Sequence, residues 1–311
     1  MVENLIIIGS GPAGYSAALY TAREDFKPLM IAGTVNVGGQ LTLTTTVDNY
    51  PGFPEGIQGP ELMGLFEKQA KRFGTRILHE DVVDVDFGSR PFKIKTSENQ
   101  YEAHTVIIST GASSKWLGIP SEMRLRGKGV SSCATCDAVF FRNKDVVVVG
   151  GGDTAMEDSL FLTKFASSVT ILHRREGFRA SKAMQDKVMA NPKIRVMFNT
   201  TVEEILGQEQ VTGVRIKNVN DGKEETLKVG GVFIAIGHTP NTEFLKGKIK
   251  LDDQGYILTR EEVKTDIEGV YAAGDVVDRV YKQAVTAAGS GVKAALEVRA
   301  YLQNMNLTNL Q

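Results

Sequence analysis

Hydrophobic positions along the chain fall into a repeated order of short apolar runs and helical spacings. Val2 to Ile8 is an apolar run that predicts a buried strand, and the Ala-rich stretch through Arg23 predicts a helix after it. Pro28 to Ile31 reads as a second strand. Helical spacing at Leu62, Leu65, Phe66 and Ala70 predicts a helix over 60–73, while alternation at Val83, Val85 and Phe87 predicts an antiparallel excursion. Val106 to Ile108 is another buried strand, stopped by Thr110-Gly111-Ala112. The order then restarts with a strand over Val146 to Val149, a helix from about Thr154 to Phe165, a strand over Val169 to Leu172 and a closing strand over Val232 to Ile236. Val270 to Ala273 predicts a further strand, and a last helix starts at Gln283-Ala284 and frays after Tyr301. Thr42 and Thr44 to Thr46 read as strand or turn packing. Apolar strands alternating with helices predict an α/β fold with two Rossmann-like nucleotide-binding domains.

The turns carry the chemistry. Gly9-Ser10-Gly11-Pro12-Ala13-Gly14 joins the first strand to the first helix, the order a dinucleotide fingerprint requires. Its glycines allow a tight turn, close approach of a pyrophosphate and close helix packing, and the helix N-terminus supplies N–H groups. A second fingerprint, Gly150-Gly151-Gly152-Asp153-Thr154-Ala155, begins 141 residues later, so two dinucleotide sites are expected. In the second, the strand ends in His173-Arg174-Arg175, with Arg179 four residues beyond. Guanidinium groups where an NAD site carries an acid match a 2′-phosphate and point to NADPH. In the first, no Asp or Glu occurs from Phe26 to Val47, so the adenosine ribose must be held by some other group. Gly38-Gly39-Gln40 adds backbone freedom and one side-chain amide, followed by the turn-rich loop from Asn49 to Pro54. Asp275, at a strand end, is placed to accept hydrogen bonds from a polyol such as a flavin's ribityl chain. The helix beginning at Gln283-Ala284 offers its N-terminus to a developing negative charge.

The only two cysteines of the 311 residues stand three apart in Cys133-Ala134-Thr135-Cys136-Asp137, between the two fingerprints. A structural bridge of that length would constrain almost no chain. A zinc site would need further ligands, and the four histidines, His79, His104, His173 and His238, are scattered singly, so no metal is expected. Two inert buried thiols remain a bland alternative; the flanking fingerprints and adjacent Asp137 favour a redox pair. His238, alone in a strand-to-loop turn, reads as structural. Hydrophobic content of 42%, charged content of 23% and a formal charge of −1 describe an ordinary soluble protein with no nucleic-acid or membrane partner. The chain enters its first apolar run without a basic leader, and a CxxC without other cysteines fits a reducing compartment, so the cytoplasm is the expected location.

From about residue 4 to 302 the chain resembles the low-molecular-weight thioredoxin reductases. The resemblance is carried by GSGPAG at 9–14, GGQL at 38–41, CATCD at 133–137, GGGDTA at 150–155, HRREGFRAS at 173–181, AIGHTPN at 235–241 and AAGDV at 272–276. It implies an FAD domain over 1–115 and 246–311 and an NADPH domain inserted over 116–245. It further implies a homodimer, with oxidised thioredoxin as partner. The resemblance makes Gln40, Asn49, Asp275, Gln283 and Ala284 flavin contacts. It makes Cys133 the thiol that attacks thioredoxin, Cys136 the flavin-facing thiol and Asp137 the proton donor and acceptor. Crossings between the domains are expected near 117–120 and 241–244, with rotation of the inserted domain about them between half-reactions. Ala138 stands where many members have Gly, and Lys282 where Arg is common. Flavin-dependent dithiol oxidases share the resemblance in fold; Arg174 and Arg175 favour reduction with NADPH.

Overall fold

The computed structural model describes residues 2–44 and 46–305. Met1, Thr45 of the threonine run and the residues from 306 onward, which include most of the tail expected to fray, lie outside the described residues. In chain order the first elements are β1 (Val2–Ile8), α1 (Pro12–Arg23), β2 (Leu29–Ile31), α2 (Gly59–Arg72), β3 (Arg76–Leu78), β4 (Val82–Asp86), β5 (Phe92–Thr96) and β6 (Gln100–Ile108). There follow α3 (Pro120–Leu125), β7 (Val130–Ser131), α4 (Ala134–Asp137), β8 (Asp145–Gly150), α5 (Asp153–Leu162), β9 (Ser168–Leu172), α6 (Lys182–Met189) and β10 (Ile194–Met197). Strands β11 (Thr200–Leu206), β12 (Gly213–Asn218), β13 (Glu224–Leu227), β14 (Gly231–Ala235) and β15 (Val270–Ala272) lead to the last helix, α7 (Ala284–Asn304). The chain divides into two compact units, residues 1–113 with 239–311 and residues 114–238.

In the first unit the sheet runs β3-β2-β1-β6-β5-β4, and β15 pairs with the C-terminal half of β6. Strands β3, β2, β1, β6 and β15 are parallel, whereas β5 and β4 form the antiparallel excursion. The apolar run of β1 is continuous because both faces of the sheet are covered. Leu5 and Ile7 pack with α1 and α7 residues such as Ala17 and Ala294, while Ile6 and Ile8 pack with Val85, Phe92 and Leu245 on the opposite face. Helices α1 and α7 touch backbone to backbone: a Cβ on Gly291 would stand 2.1 Å from the Ala13 carbonyl oxygen. That helix-packing glycine carries a constraint that periodicity does not reveal.

The second unit repeats the plan with a five-stranded parallel sheet, β7-β14-β8-β9-β10, and a separate antiparallel layer, β11-β12-β13. Val146 and Val148 face Ala134, Ala155 and Met156, whereas Val147 and Val149 face Leu125, Ile205 and Val214. Strand alternation thus splits the β8 run between a helical layer and a β layer.

The chain leaves the first unit at Ser113/Ser114 and returns at His238/Thr239, earlier than the crossings expected at 117–120 and 241–244. The physical reason is local bonding. Glu122, fully buried, accepts the N–H groups of Leu117 (2.8 Å) and Gly118 (3.0 Å), tying that segment to α3. Asn241 belongs to the other side: its Nδ2 donates to the Thr110 carbonyl (2.8 Å), and Ser113 Oγ donates to its Oδ1 (3.0 Å).

Candidate functional site

In the first unit the β1-to-α1 turn makes an open cradle. Gly9 sits at φ +106°, and a side chain there would drive into the Ser109 carbonyl at 2.4 Å. A Cβ on Gly14 would meet the Gly9 carbonyl at 2.1 Å, so the first turn of α1 lies directly on the loop. At Gly11, the N-cap of α1, an added Cβ meets nothing within 4 Å, and no side chain caps the helix. Its first N–H groups therefore face space that no side chain fills, an arrangement fitted to a pyrophosphate. Ser10 is buried beneath the cradle, donating to the Ala32 carbonyl (2.9 Å) and accepting from Gly38 N–H (3.0 Å). Those bonds tie the glycine turn to the end of β2 and to the Gly38-Gly39 turn.

Beyond β2, Thr34 donates to Asp81 twice: its N–H to Oδ1 (3.0 Å) and its hydroxyl to Oδ2 (2.5 Å). Gly39 opens a short 3-10 turn through Leu43 that leaves Gln40 exposed. Two residues 234 positions apart, Asn49 and Gln283, are hydrogen-bonded, with Asn49 Nδ2 donating to Gln283 Oε1 (3.2 Å). Gln283 is the N-cap of α7 and Ala284 its first residue. The loop before it is braced by Asp278, whose carboxylate accepts the N–H groups of Val280 (2.7 Å), Tyr281 (2.8 Å) and Lys282 (3.0 Å). Asp275 lies partly buried just past β15, and burial, reinforced by the charge of Asp278 and opposed by Lys282, pushes its carboxyl up to about 6. A carboxylate in that setting fits a ligand that brings hydroxyl donors to it.

In the second unit Gly152 caps α5 without a side-chain bond and with nothing within 4 Å of an added Cβ, so a second cradle stands at β8. Asp153 turns aside, its Oδ1 accepting both the N–H (2.9 Å) and the hydroxyl (2.8 Å) of Ser181; those bonds hold its carboxyl below the usual range. Thr154 is exposed on the first turn of α5. His173 is buried beneath the turn: a Cβ on Gly151 would stand 2.2 Å from its ring, and its Nε2 lies 3.1 Å from the Gly177 carbonyl. Burial lowers its pKa, so it is a neutral support for the loop. Arg174, Arg175 and Arg179 are exposed at the same strand end, free to meet an anion. Asp158 is a carboxylate that no motif marks; burial and the charge of Glu157 push it up to about 7. Its signal in the sequence is its place, partly buried, beside the buried stripe Ala155-Ser159-Leu162.

Cys133 and Cys136 form a disulfide, with Cys133 as N-cap of α4 and Cys136 on its exposed side. Ser131 braces the turn by accepting the Cys133 N–H (3.0 Å), and Cys133 Sγ lies 3.4 Å from Thr135 Oγ1. Asp137 follows one residue after Cys136 and is partly buried; burial raises its pKa, against an opposing hydrogen bond from Ser131. A carboxyl whose proton affinity is raised, beside a disulfide, is suited to hold and pass on a proton. Among the described residues no cluster of His, Cys, Asp and Glu could hold a metal ion. No described helix is long and apolar enough to cross a membrane.

Known proteins with this arrangement are numerous. The chain is 55% identical over 307 residues to a thioredoxin reductase of Rickettsia typhi, covering 97% of this chain and 99% of that one. It is 50% identical over 303 residues to a thioredoxin reductase of Streptomyces clavuligerus, covering 97% and 94%. A solved thioredoxin reductase from Giardia duodenalis superposes with a TM-score of 0.93 at 43% identity, covering 96% of this chain and 98% of that one. The model of the pyridine nucleotide-disulphide oxidoreductases matches residues 3–291. With two glycine cradles and a disulfide on one continuous match, the chain belongs to the pyridine nucleotide-disulphide oxidoreductase family.

Proposed function

We propose that the protein is an NADPH-dependent thioredoxin reductase carrying FAD. The observation that carries the proposal is a disulfide held in the same unit as a nucleotide cradle ringed by three exposed arginines. FAD is held in the unit of residues 1–113 and 239–311, by the Gly9 to Gly14 turn and by Gln40, Asn49, Asp275, Gln283 and Ala284. NADPH is held by Gly150, Gly152, Thr154 and the Arg174, Arg175 and Arg179 guanidiniums. Asp153, whose Oδ1 is taken by Ser181, and His173, whose Nε2 lies against the Gly177 carbonyl, shape the loop that receives it.

When bound, the two cofactors supply hydride and then two electrons to the disulfide. The chain's own residues do the rest. Opening Cys133–Cys136 to a Cys133 thiolate and a Cys136 thiol takes two electrons and one proton; Asp137, whose proton affinity burial raises, is placed to pass that proton to Cys136. The Cys133 thiolate then attacks the disulfide of thioredoxin, forming a mixed disulfide. Cys136 gives its proton back to Asp137 and closes on Cys133, breaking the mixed disulfide; the two thioredoxin sulfurs leave as thiolates and take their protons from water. Cysteines and NADPH cradle share the inserted unit, while the flavin residues lie in the other, so nucleotide and disulfide must take turns at one flavin. We infer rotation of the inserted unit between half-reactions. The homodimer and cytoplasmic location that the resemblance implies belong to the same proposal, and sedimentation of the holoenzyme tests the first.

The experiment is direct: the purified protein should be yellow, bleach anaerobically with NADPH and much less with NADH, and consume NADPH rapidly with an oxidised thioredoxin. Oxygen uptake driven by dithiols would instead mark an oxidase, and neither reaction a slow redox sensor.

A further inference from the structure

The first cradle lacks the acid that a Rossmann site carries at the end of its second strand. From Phe26 to Val47 there is no carboxylate, and the residue at the expected place, Thr34, stands 25 positions after Gly9. A side-chain hydroxyl there cannot replace the charge that binds a ribose diol. The fold supplies the charge from another strand. We propose that Asp81 is the group that holds the adenosine ribose of FAD, an inference that rests on the reading of this unit as the flavin site.

The geometry is specific. Strand β3 lies beside β2, and their ladder continues past both ends through Ala32 N–H to the Leu78 carbonyl (2.8 Å) and Gly33 N–H to the Glu80 carbonyl (3.1 Å). The next residue, Asp81, therefore arrives level with Thr34. Its backbone carbonyl is fixed from the other side by Ser97 N–H (2.9 Å). Its neighbour Glu80 points the opposite way, into a buried knot with Thr96 Oγ1 (2.6 Å), Tyr101 OH (2.8 Å) and Asn99 Nδ2 (3.1 Å). Glu80 is thus committed to the core, and Asp81 is the exposed member of the pair.

Thr34 orients that carboxylate by gripping both oxygens. A carboxylate accepts about four hydrogen bonds, so a lone pair on each oxygen stays available to a pair of neighbouring hydroxyls. A loop staple alone would need one contact, at a place where the backbone ladder already fixes the two segments. Gly33, between the ladder and Thr34, carries no side chain to cover the acid; an added Cβ would stand 3.5 Å from Oδ1. Ser10 links the same strand end to the glycine cradle through Ala32. The pyrophosphate cradle ends β1, and Thr34, past the end of the adjacent β2, receives the Asp81 carboxylate from β3 on the far side. The negative charge also rejects a 2′-phosphate, the reverse of the arginines at the end of β9.

The test compares FAD with its 2′,3′-dideoxyadenosine analogue, binding each to the full-length chain stripped of flavin and following flavin fluorescence. Wild-type protein is expected to bind FAD tenfold to a hundredfold tighter than the analogue, as loss of charge-assisted hydrogen bonds requires. Asp81→Asn should bind the two alike, at the strength of the analogue on wild type, with an unchanged melting temperature. Equal binding of both ligands to wild type overturns the inference without touching the flavin reading, and so does a preference for FAD that survives in Asp81→Asn. Failure of wild type to bind either ligand sinks the flavin reading and this inference with it.

Discussion

Replacing Asp275 with Asn is expected to make the flavin-free protein more stable and its hold on flavin weaker. The carboxyl is pushed from 3.8 to about 6, chiefly by burial and then by the charge of Asp278. At about 1.4 kcal/mol for each tenfold change in proton affinity, that displacement is worth about 3 kcal/mol. The sign follows from linkage: the folded chain holds this proton more tightly than the unfolded chain does. The contribution is therefore fully present below pH 4 and is lost as pH rises through 6; above that, the ionised group works against the fold. Asparagine has the shape of the protonated acid and no charge. At pH 8, flavin-free Asp275→Asn should melt about 6–12 °C higher in the unit that holds it, taking roughly 2–4 °C per kcal/mol for this size. The gain should shrink to nothing near pH 4. Ligand hydroxyls stabilise the ionised carboxylate, so wild-type flavin affinity should climb about tenfold per pH unit towards pH 6 and then level off. The variant should bind more weakly and without that slope. Calorimetry of the flavin-free proteins from pH 4 to 8, with flavin titrations over the same range, reads both effects. An unchanged melting temperature at pH 8, or the same affinity slope in both proteins, would refute the reasoning.

Three further outcomes are expected. Changing Arg174 and Arg175 together to Ala should raise KM for NADPH about a hundredfold or more, with KM for NADH within about twofold, because each lost charge-assisted bond costs about 1.5–3 kcal/mol; steady-state kinetics with both nucleotides decides it. Cys136→Ser should leave anaerobic bleaching by NADPH intact while abolishing thioredoxin reduction, and stopped-flow absorbance separates the two. Glu122→Ala should cost the inserted unit about 3 kcal/mol, since it strands the N–H groups of Leu117 and Gly118 and the nearby Arg126 guanidinium; a urea midpoint unchanged from wild type would contradict it.

What the sequence disclosed were features fixed by neighbours in the chain. The β1 and β8 runs, both glycine turns and the cysteine pair each sit within one short segment, so period and spacing were enough to find them. Helix α5 ends at Leu162, short of the expected Phe165, where the bonding tightens to three-residue turns: Lys164 N–H donates to the Phe161 carbonyl (3.1 Å) and Phe165 N–H to the Leu162 carbonyl (3.0 Å). Features assembled from distant segments stayed hidden. Nothing in the periodicity could pair Asn49 with Gln283, bring Asp81 beside Thr34, or place His173 beneath Gly151. Each depends on which strands become neighbours, and on a glycine leaving room for a ring. Glu122 was hidden for a related reason: a charged residue in an amphipathic segment reads as solvated until the N–H groups that enclose it are known.

Because β15 and α7 complete the sheet and helical layer begun by β1 and α1, the two units mature at different moments during synthesis. The inserted unit has all of its strands once residue 238 has left the ribosome, whereas its host still lacks the strand beside β6 and the helix against α1. A nascent chain would thus carry a finished cysteine-bearing unit while its host is still unfinished, and the yellow cofactor could be captured only after β15 and α7 have emerged.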